Sequence, residues 1–176
     1  MIIWITGLSG SGKTSLAKEI VKLLRSQGKN VVLLDGDELR KVFNISKNQK
    51  QKYTREERLK LSKQYSFLCK FLNKQGLDVV IATISFFKEI HEWNRKNLKN
   101  YFEVYLKVPI SELKKRDPKK IYEKYDSEKI NNVVGLDFPL DEPKKPDLIF
   151  EFQKKRTVIE LANKLNNVLK DKFEKE

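Results

Sequence analysis

The sequence predicts a three-layer α/β domain in which a parallel five-stranded sheet lies between two layers of helices. Two observations support this fold class. Short apolar segments alternate with longer amphipathic segments of helical period, and a glycine-rich loop joins the first apolar segment to the first amphipathic one. Successive right-handed crossovers place helices on both faces of a parallel sheet. A length of 176 residues suits one such domain, and we expect residues 1–176 to form a single domain.

Five short segments are predicted as strands because they are rich in β-branched and aromatic residues and are bounded by Gly, Asp or Pro. They span residues 2–6, 30–35, 78–85, 102–108 and 147–152. Four amphipathic segments are predicted as helices, and they span residues 13–28, 54–76, 88–100 and 156–173. Gly28 and Gly76 are stop signals for the first two helices, and Thr54 is the expected N-cap of the second.

Two further segments show neither period. Residues 44–53 are polar and rich in lysine, and residues 116–146 contain four of the five prolines. Long irregular segments of compact domains are commonly lids or binding loops. We therefore expect both segments to form mobile covers over a ligand site.

Residues Gly7 to Thr14 match the phosphate-binding pattern G-x-x-x-x-G-K-[ST] at every fixed position. The match lies between a predicted strand and a predicted helix, where backbone N–H groups and the positive end of the helix dipole favour a phosphate. Lys13 is expected to contact the β- and γ-phosphates, and Thr14 is expected to bind Mg²⁺. The motif predicts a P-loop NTPase fold and a nucleoside-triphosphate site formed by Gly7, Ser9, Gly10, Ser11, Gly12, Lys13, Thr14 and Ser15.

Two carboxylates, Asp35 and Asp37, lie at the end of the second predicted strand. The carboxyl ends of strands in an open α/β sheet line the ligand crevice, so both side chains are expected near the phosphates. Two carboxylates near a Mg-nucleotide can divide two tasks, since one can hold the water of the metal and the other can accept a proton from an attacking hydroxyl. The alternative is that an aspartate such as Asp37 only caps the following helix.

The formal charge of +13, from 37 Lys and Arg against 24 Asp and Glu, has three explanations. The basic residues are mostly lysine and are spread along the whole chain, which favours a general bias in composition. A small phosphorylated substrate is the second explanation. Nucleic acid is the least favoured, because it would require clustered basic residues.

Cysteine content and hydropathy restrict the location of the protein. Cys69 is the single cysteine, which excludes a disulfide framework, and its place in a predicted helix indicates a core residue. No apolar segment reaches the ~20 residues that cross a bilayer, and the start at Met1 lacks a signal-peptide pattern. We expect a cytoplasmic protein that binds neither a membrane nor nucleic acid.

Other distinctive side chains favour structural roles. His91, the only histidine, is predicted to be solvated on a surface helix, and Trp4 and Trp93 are predicted packing residues. Phe86 and Phe87 follow the third predicted strand, and the sequence leaves open whether they line a pocket or the core.

Six blocks of the chain resemble, in the same order, blocks of the adenylylsulfate (APS) kinases. They are GLSGSGKTS, LDGDELR, TREER, ATIS, FEVYLKVPISELKKRDPKKIY and GLDFPLDEPKKPDL, and the resemblance covers about residues 1–150. Members of this family use MgATP to phosphorylate the 3′-hydroxyl of adenosine 5′-phosphosulfate. The resemblance implies a P-loop NTPase fold of the nucleotide-kinase type, with ATP bound at the glycine-rich loop and a lid at about 116–140. It also implies an ATP-dependent phosphotransferase that uses Mg²⁺, and a homodimer.

The resemblance also implies roles for single residues around the donor. Asp37 is the implied base on the 3′-hydroxyl, and Asp35 belongs to the water network around Mg²⁺. Lys119 extends from the lid to the transferring phosphates, and Arg116 lies along ATP. Together with Lys13, the residues Asp35, Asp37 and Lys119 form the implied catalytic set.

On the acceptor side, Arg40 and Arg58 are the implied ligands of 5′-phosphoryl groups, and Ile84 offers backbone contacts. Ser85 matches a serine that some members of the family are thought to use as a phosphorylated intermediate. Direct in-line transfer needs no covalent intermediate, so we do not expect that role for Ser85.

Three acceptor positions depart from the family pattern. The two phenylalanines with which the family stacks adenine fall on Tyr53 and Val133, so one aromatic face is lost. A family asparagine three residues after Arg58 falls on Leu61, which removes a polar contact. Base–aromatic stacking is worth about 1–3 kcal/mol, so the change at Val133 is expected to weaken adenine binding.

These departures affect the acceptor side and spare the donor side, which favours a changed acceptor. We favour a kinase of this family that phosphorylates the 3′-hydroxyl of cytidine diphosphoramidate for O-methyl phosphoramidate groups on bacterial capsules. The alternative acceptor is adenylylsulfate, in sulfate assimilation, and the alternative from another class is a non-catalytic ATP-binding regulatory protein. A GTPase is disfavoured because residues 73–76 read NKQG, whereas guanine recognition needs N-K-x-D.

Overall fold

Five parallel strands form one sheet in the computed structural model, which describes residues 1–44, 54–139 and 141–173. The strands are β1 (Ile2–Gly7), β2 (Val31–Asp35), β3 (Asp78–Thr83), β4 (Tyr101–Lys107) and β5 (Leu148–Glu151). Their order across the sheet is β2-β3-β1-β4-β5, so β1 pairs with β3 on one side and with β4 on the other. The five predicted strands and the α/β fold class are confirmed.

The described residues also form seven helices, which are α1 (Lys13–Ser26), α2 (Gly36–Val42), α3 (Arg55–Lys74), α4 (Lys88–Asn97), α5 (Ile110–Arg116), α6 (Ile121–Asp126) and α7 (Val158–Phe173). The four predicted helices correspond to α1, α3, α4 and α7. Helices α2, α5 and α6 have only six or seven residues each, too few to show a helical period. Helix α6 corrects the expectation that residues 116–146 are irregular throughout. None of the described helices combines the length and apolarity of a membrane span.

Helix α3 begins where the sequence predicts, because Thr54 and Glu57 form a capping box. The Thr54 hydroxyl accepts a hydrogen bond from Glu57 N at 3.3 Å, and Thr54 N donates to the Glu57 carboxylate at 3.1 Å. The predicted cover at residues 44–53 precedes this helix and, apart from Asn44, lies outside the described residues.

Each face of the sheet packs against its own layer of helices. Side chains alternate along β1, so Ile3 and Ile5 face one layer and Ile2 and Trp4 face the other. Helices α1 and α7 cover the first face, and α2, α3 and α4 cover the second. Trp4 and Cys69 are fully buried in the second layer, as predicted. The arrangement is the predicted three-layer sandwich.

A third apolar cluster lies at the carboxyl end of the sheet, where α5 and α6 pack. Its buried members are Leu8, Phe86, Tyr105, Leu113, Tyr122 and Val133. Leu8 belongs to the glycine-rich loop and Tyr122 belongs to α6. The cluster therefore joins the predicted lid to the predicted phosphate site.

His91 is not solvated, and that prediction is wrong. The side chain is buried on α4, and its Nδ1 lies 2.5 Å from Oε1 of Glu103 in β4. Glu103 is buried as well, and it also accepts a hydrogen bond from the Tyr101 hydroxyl at 2.9 Å. The polar partner of His91 lies on another element, 12 residues away in the chain, so no local pattern indicated it.

Candidate active site

The glycine-rich loop curves between the end of β1 and the start of α1. Gly10 and Gly12 have φ angles of 76° and 96°, in the left-handed region that favours glycine. At Gly7 a Cβ atom would lie 2.8 Å from the carbonyl oxygen of Leu106, so the backbone approaches β4 too closely for a side chain. The loop leads into the N-terminus of a 14-residue helix, whose dipole favours a bound anion.

The hydroxyl groups of the loop differ in exposure. Ser9 and Ser11 are buried, and the Ser11 hydroxyl has no hydrogen-bond partner among the described residues. Ser15 is exposed on the first turn of α1. A buried hydroxyl without a partner costs free energy unless a ligand satisfies it, so Ser11 fits a loop that binds phosphate oxygens.

Lys13 is the first residue of α1, and its Nζ donates a hydrogen bond to the Leu8 carbonyl at 2.7 Å. Burial of the ammonium group is the main reason that the pKa of Lys13 falls from its usual 10.5 to about 7. The cations Lys119 and Arg40 lower this pKa further, whereas Asp35 raises it. Three cationic side chains therefore converge beside the loop, as a site for a chain of phosphates requires.

Binding of ATP is expected to be coupled to proton uptake by Lys13. The pKa of Lys13 is about 7 in the free protein, and bound phosphates would raise it because they stabilise the charged ammonium. At about pH 8 free Lys13 is mostly neutral, so binding is expected to take up close to one proton. The affinity for ATP is then expected to fall by up to about tenfold per pH unit above the free pKa. Calorimetry in buffers of different ionisation enthalpy measures the number of protons taken up on binding. Equal binding heats in all buffers would contradict the expected proton uptake.

The two predicted metal-site residues are in contact. Thr14 Oγ1 donates a hydrogen bond to Asp35 Oδ2 at 2.6 Å. The other oxygen, Oδ1, accepts from the backbone N–H groups of Asp37 at 2.8 Å and Glu38 at 3.4 Å, which makes Asp35 the N-cap of α2. The described residues contain no cluster of three or more His, Cys, Asp or Glu that would hold a metal alone. A hydroxyl beside a carboxylate instead fits Mg²⁺, which takes most of its ligands from phosphates and water.

Asp37 does not cap α2, because Asp35 has that role. The Asp37 carboxylate is paired with Arg40 on the same helix and with Lys119 from the lid. Its side chain is 29% exposed, so a substrate hydroxyl has access to it. The structure thus excludes the alternative in which Asp37 serves only as a helix cap.

The segment that carries Lys119 is fixed at two points. The carboxylate of Asp117 accepts hydrogen bonds from two backbone N–H groups at the start of α6, at 2.8 and 2.9 Å. The Tyr122 hydroxyl donates to the carbonyl of Ser9, in the glycine-rich loop, at 3.0 Å. No role was predicted for Tyr122 from the sequence, although this tyrosine ends one of the blocks that resemble the APS kinases.

A cavity of about 1060 Å³ lies beside the glycine-rich loop, between α3 and the lid. Five predicted acceptor residues line it: Arg40, Arg58, Leu61, Ile84 and Val133. Ser9 of the loop lines it as well, so the cavity adjoins the phosphate site. Phe86 and Phe87 are buried in the core and also line the cavity, so both interpretations of these residues are correct. The volume suits a nucleotide-sized ligand.

Arg58 is held by the segment that follows α6. Its guanidinium donates to the carbonyl of Asn132 at 2.8 Å and lies 4.8 Å from the centroid of the Phe138 ring. The Asp137 carboxylate accepts from the N–H groups of Asn132 at 2.8 Å and Val133 at 2.7 Å. The Asp137 carboxylate thus orients Val133, which lines the cavity, and Asn132, whose carbonyl accepts the hydrogen bond from Arg58. Asp137 was not predicted from the sequence, in which its only signal is its place in the GLDFP block.

Three predicted site residues lie outside this arrangement. Ser85 is fully buried, and its Oγ contacts two other buried hydroxyls at 3.1 and 3.4 Å, so its hydroxyl is not on the cavity wall. Arg116 is exposed, with its guanidinium 4.9 Å from the ring centroid of Phe152. Tyr53 lies outside the described residues.

Known proteins share this sequence and this fold. The model of the adenylylsulphate kinase family matches residues 1–151. The cytidine diphosphoramidate kinase of Campylobacter jejuni is 43% identical over 148 residues, which cover 84% of each chain. An adenylyl-sulfate kinase of Pseudomonas aeruginosa is 36% identical over 152 residues, which cover 85% of this chain and 76% of the relative. The structure of the Mycobacterium tuberculosis APS kinase in complex with AMPPNP and APS is similar, with a TM-score of 0.86, 31% identity and 96% of both chains covered.

Proposed function

We propose that this chain, which belongs to the adenylylsulphate kinase family and is a nucleotide kinase, transfers the γ-phosphoryl group of ATP to the 3′-hydroxyl of cytidine diphosphoramidate. The observation that carries the proposal is the cavity wall, on which Arg40 and Arg58 lie together with the aliphatic Val133. Two arginines suit a diphosphate-like group, and an aliphatic residue where the family stacks adenine suits another base. The 43% identity to a cytidine diphosphoramidate kinase supports the same acceptor, and with it a role in capsular O-methyl phosphoramidate synthesis.

In this proposal the chain's own side chains perform each part of an in-line transfer. Arg40 and Arg58 bind the 5′-phosphoryl groups of the acceptor and direct its 3′-hydroxyl toward Asp37. Asp37 accepts the hydroxyl proton while the bond from O3′ to the γ-phosphorus forms and the bond from that phosphorus to the β–γ bridging oxygen breaks, which leaves ADP. Lys13 and Lys119 stabilise the negative charge on the transferring group.

Thr14 and Asp35 would hold Mg²⁺ together with the phosphates of ATP, Thr14 directly and Asp35 through water. Their contact at 2.6 Å, at the N-terminus of α1, supports this assignment. When bound, Mg²⁺ neutralises charge on the β- and γ-phosphates.

The lid, at about residues 116–140, is proposed to close over the bound nucleotides. Its Lys119 contacts Asp37, and its Tyr122 contacts Ser9, so the lid touches both the proposed base and the phosphate loop. Closure excludes water, which would otherwise hydrolyse the γ-phosphate.

A comparison of two acceptors, cytidine diphosphoramidate and adenylylsulfate, tests the proposal. We expect kcat/KM for the cytidine compound to be higher by at least about tenfold, because small differences in a binding pocket discriminate by about 10- to 200-fold. A coupled assay of ADP release gives the rates, and phosphorus NMR locates the new phosphate. A 3′-deoxy acceptor is the control and is expected to give only background ADP release. Efficient turnover of adenylylsulfate with none of the cytidine compound would overturn the proposed acceptor.

A further inference from the structure

Within the described chain, one aromatic residue of the cavity wall is only partly buried. Five aromatic residues line the cavity: Tyr65, Phe86, Phe87, Tyr125 and Phe138. Four of these side chains are exposed by 7% or less, whereas Tyr125 is only partly buried. A planar base stacks on an accessible ring face, so Tyr125 is the wall residue that offers one.

The other four rings already have partners that contact them. Two rings lie beside a guanidinium: Arg58 is 4.8 Å from the centroid of Phe138, and Arg55 is 5.4 Å from the centroid of Phe87. The other two lie beside an aromatic ring: the centroids of Phe86 and Tyr105 are 5.6 Å apart, and those of Tyr65 and Phe43 are 6.3 Å apart. These four rings therefore contribute to the packing of the cavity wall and not to the binding of a ligand.

Tyr125 lies on α6, inside the lid and three residues after Tyr122. It packs against the apolar cluster that contains Val133, so Tyr125 and Val133 belong to the same part of the cavity wall. At position 133 the resemblance to the APS kinases implies an aromatic ring, and this chain has an aliphatic side chain. A partly buried aromatic residue therefore packs against the same apolar cluster as the position that lacks a ring.

We propose that Tyr125 stacks on the nucleobase of the acceptor and is a specificity-determining residue of the acceptor site. The inference rests on the proposed function in that the cavity binds a nucleotide acceptor. Because Tyr125 belongs to the lid, stacking on the base also favours the arrangement in which Lys119 lies at the reacting groups. The identity of the base is thereby linked to the closure of the lid.

Binding of cytidine 5′-diphosphate to the enzyme saturated with ADP tests this role without turnover. We expect Tyr125→Ala to weaken this binding by about 5- to 150-fold, the range for the loss of one base–aromatic stack. Tyr125→Phe keeps the ring face and is expected to stay within about twofold of the native affinity. Glu123→Ala is the matched control with native affinity expected, because Glu123 is 67% exposed on the same helix and does not line the cavity.

Tyr125→Leu is a second variant that preserves apolar packing against the cluster, and we expect the same loss of affinity as in Tyr125→Ala. Thermal unfolding and the affinity for ADP, both expected to match the native protein, show that the variants fold. Native binding of cytidine 5′-diphosphate by Tyr125→Leu overturns the stacking role, and so does an equal loss in Tyr125→Phe. If the native enzyme phosphorylates neither acceptor, the proposed function is wrong, while the binding series still decides the role of Tyr125.

Discussion

Replacing Asp37 with asparagine is expected to lower kcat by about 10²- to 10⁴-fold, the usual contribution of a general base. Asparagine has nearly the same shape, but it keeps an oxygen for only one of the contacts with Arg40 and Lys119 and does not accept the hydroxyl proton. The affinity for ATP is expected to stay close to the native value. Because Asp35 and not Asp37 caps α2, the free energy of unfolding is expected to change little.

Steady-state kinetics and calorimetric titration with ATP separate these effects. Glu38→Gln is the matched control, since this neighbouring carboxylate is 66% exposed, pairs with Lys41 and does not line the cavity. We expect Glu38→Gln to keep the native kcat. If the protein binds ATP without catalysing a transfer, Asp37→Asn and Glu38→Gln would not differ in kcat. An Asp37→Asn enzyme with more than about a tenth of the native kcat would remove Asp37 from the role of base.

Replacing Lys119 with methionine is expected to lower kcat by about 10²- to 10³-fold, the usual effect of losing one group that stabilises transition-state charge. Methionine has a similar length and no charge, so the change removes a cation from the transferring phosphoryl group. Burial lowers the pKa of Lys119, while Asp35 raises it and Arg40 lowers it. We expect the KM for the acceptor to change much less than kcat, because this contact with the transferring group strengthens in the transition state.

Lys120→Met is the control for Lys119→Met. The Lys120 side chain is 71% exposed, and its Nζ lies 3.8 Å from a carboxylate oxygen of Glu123. An exposed pair of this kind contributes little, so kcat is expected to stay native. Equal losses of kcat in Lys119→Met and Lys120→Met would mean that kcat depends on the net charge of the lid and not on the position of the Lys119 ammonium. A native kcat in Lys119→Met would contradict its catalytic role.

The donor site was predictable from the sequence because its residues are neighbours in the chain. The loop from Gly7 to Thr14 carries its own signal, since the positions of glycine, lysine and threonine match the needs of a phosphate. Asp35 and Asp37 were predictable because they lie at the end of a strand whose carboxyl end is at the ligand edge of the sheet. The homodimer, the cytoplasmic location and the single domain remain predictions from the sequence.

The acceptor site was predictable only in part. The resemblance to the APS kinases located Arg40, Arg58 and Val133, and all three line one cavity. It did not reveal that Asp137 fixes the segment around Val133, or that the partly buried Tyr125 lines the cavity. A helix as short as α6 has no period that would indicate which of its side chains face a ligand.

The sequence by itself determined the five strands and four of the seven described helices, the phosphate-binding loop and the location of the two aspartates. Each of these depends on near neighbours, through side-chain periodicity, glycine conformation and helix capping. The tertiary structure decided that Asp35 caps α2, that His91 is buried against Glu103, and that Lys119 pairs with Asp37. Lys119 and Asp37 are 82 residues apart, and they meet because the packing of the lid against the carboxyl end of the sheet brings distant segments together.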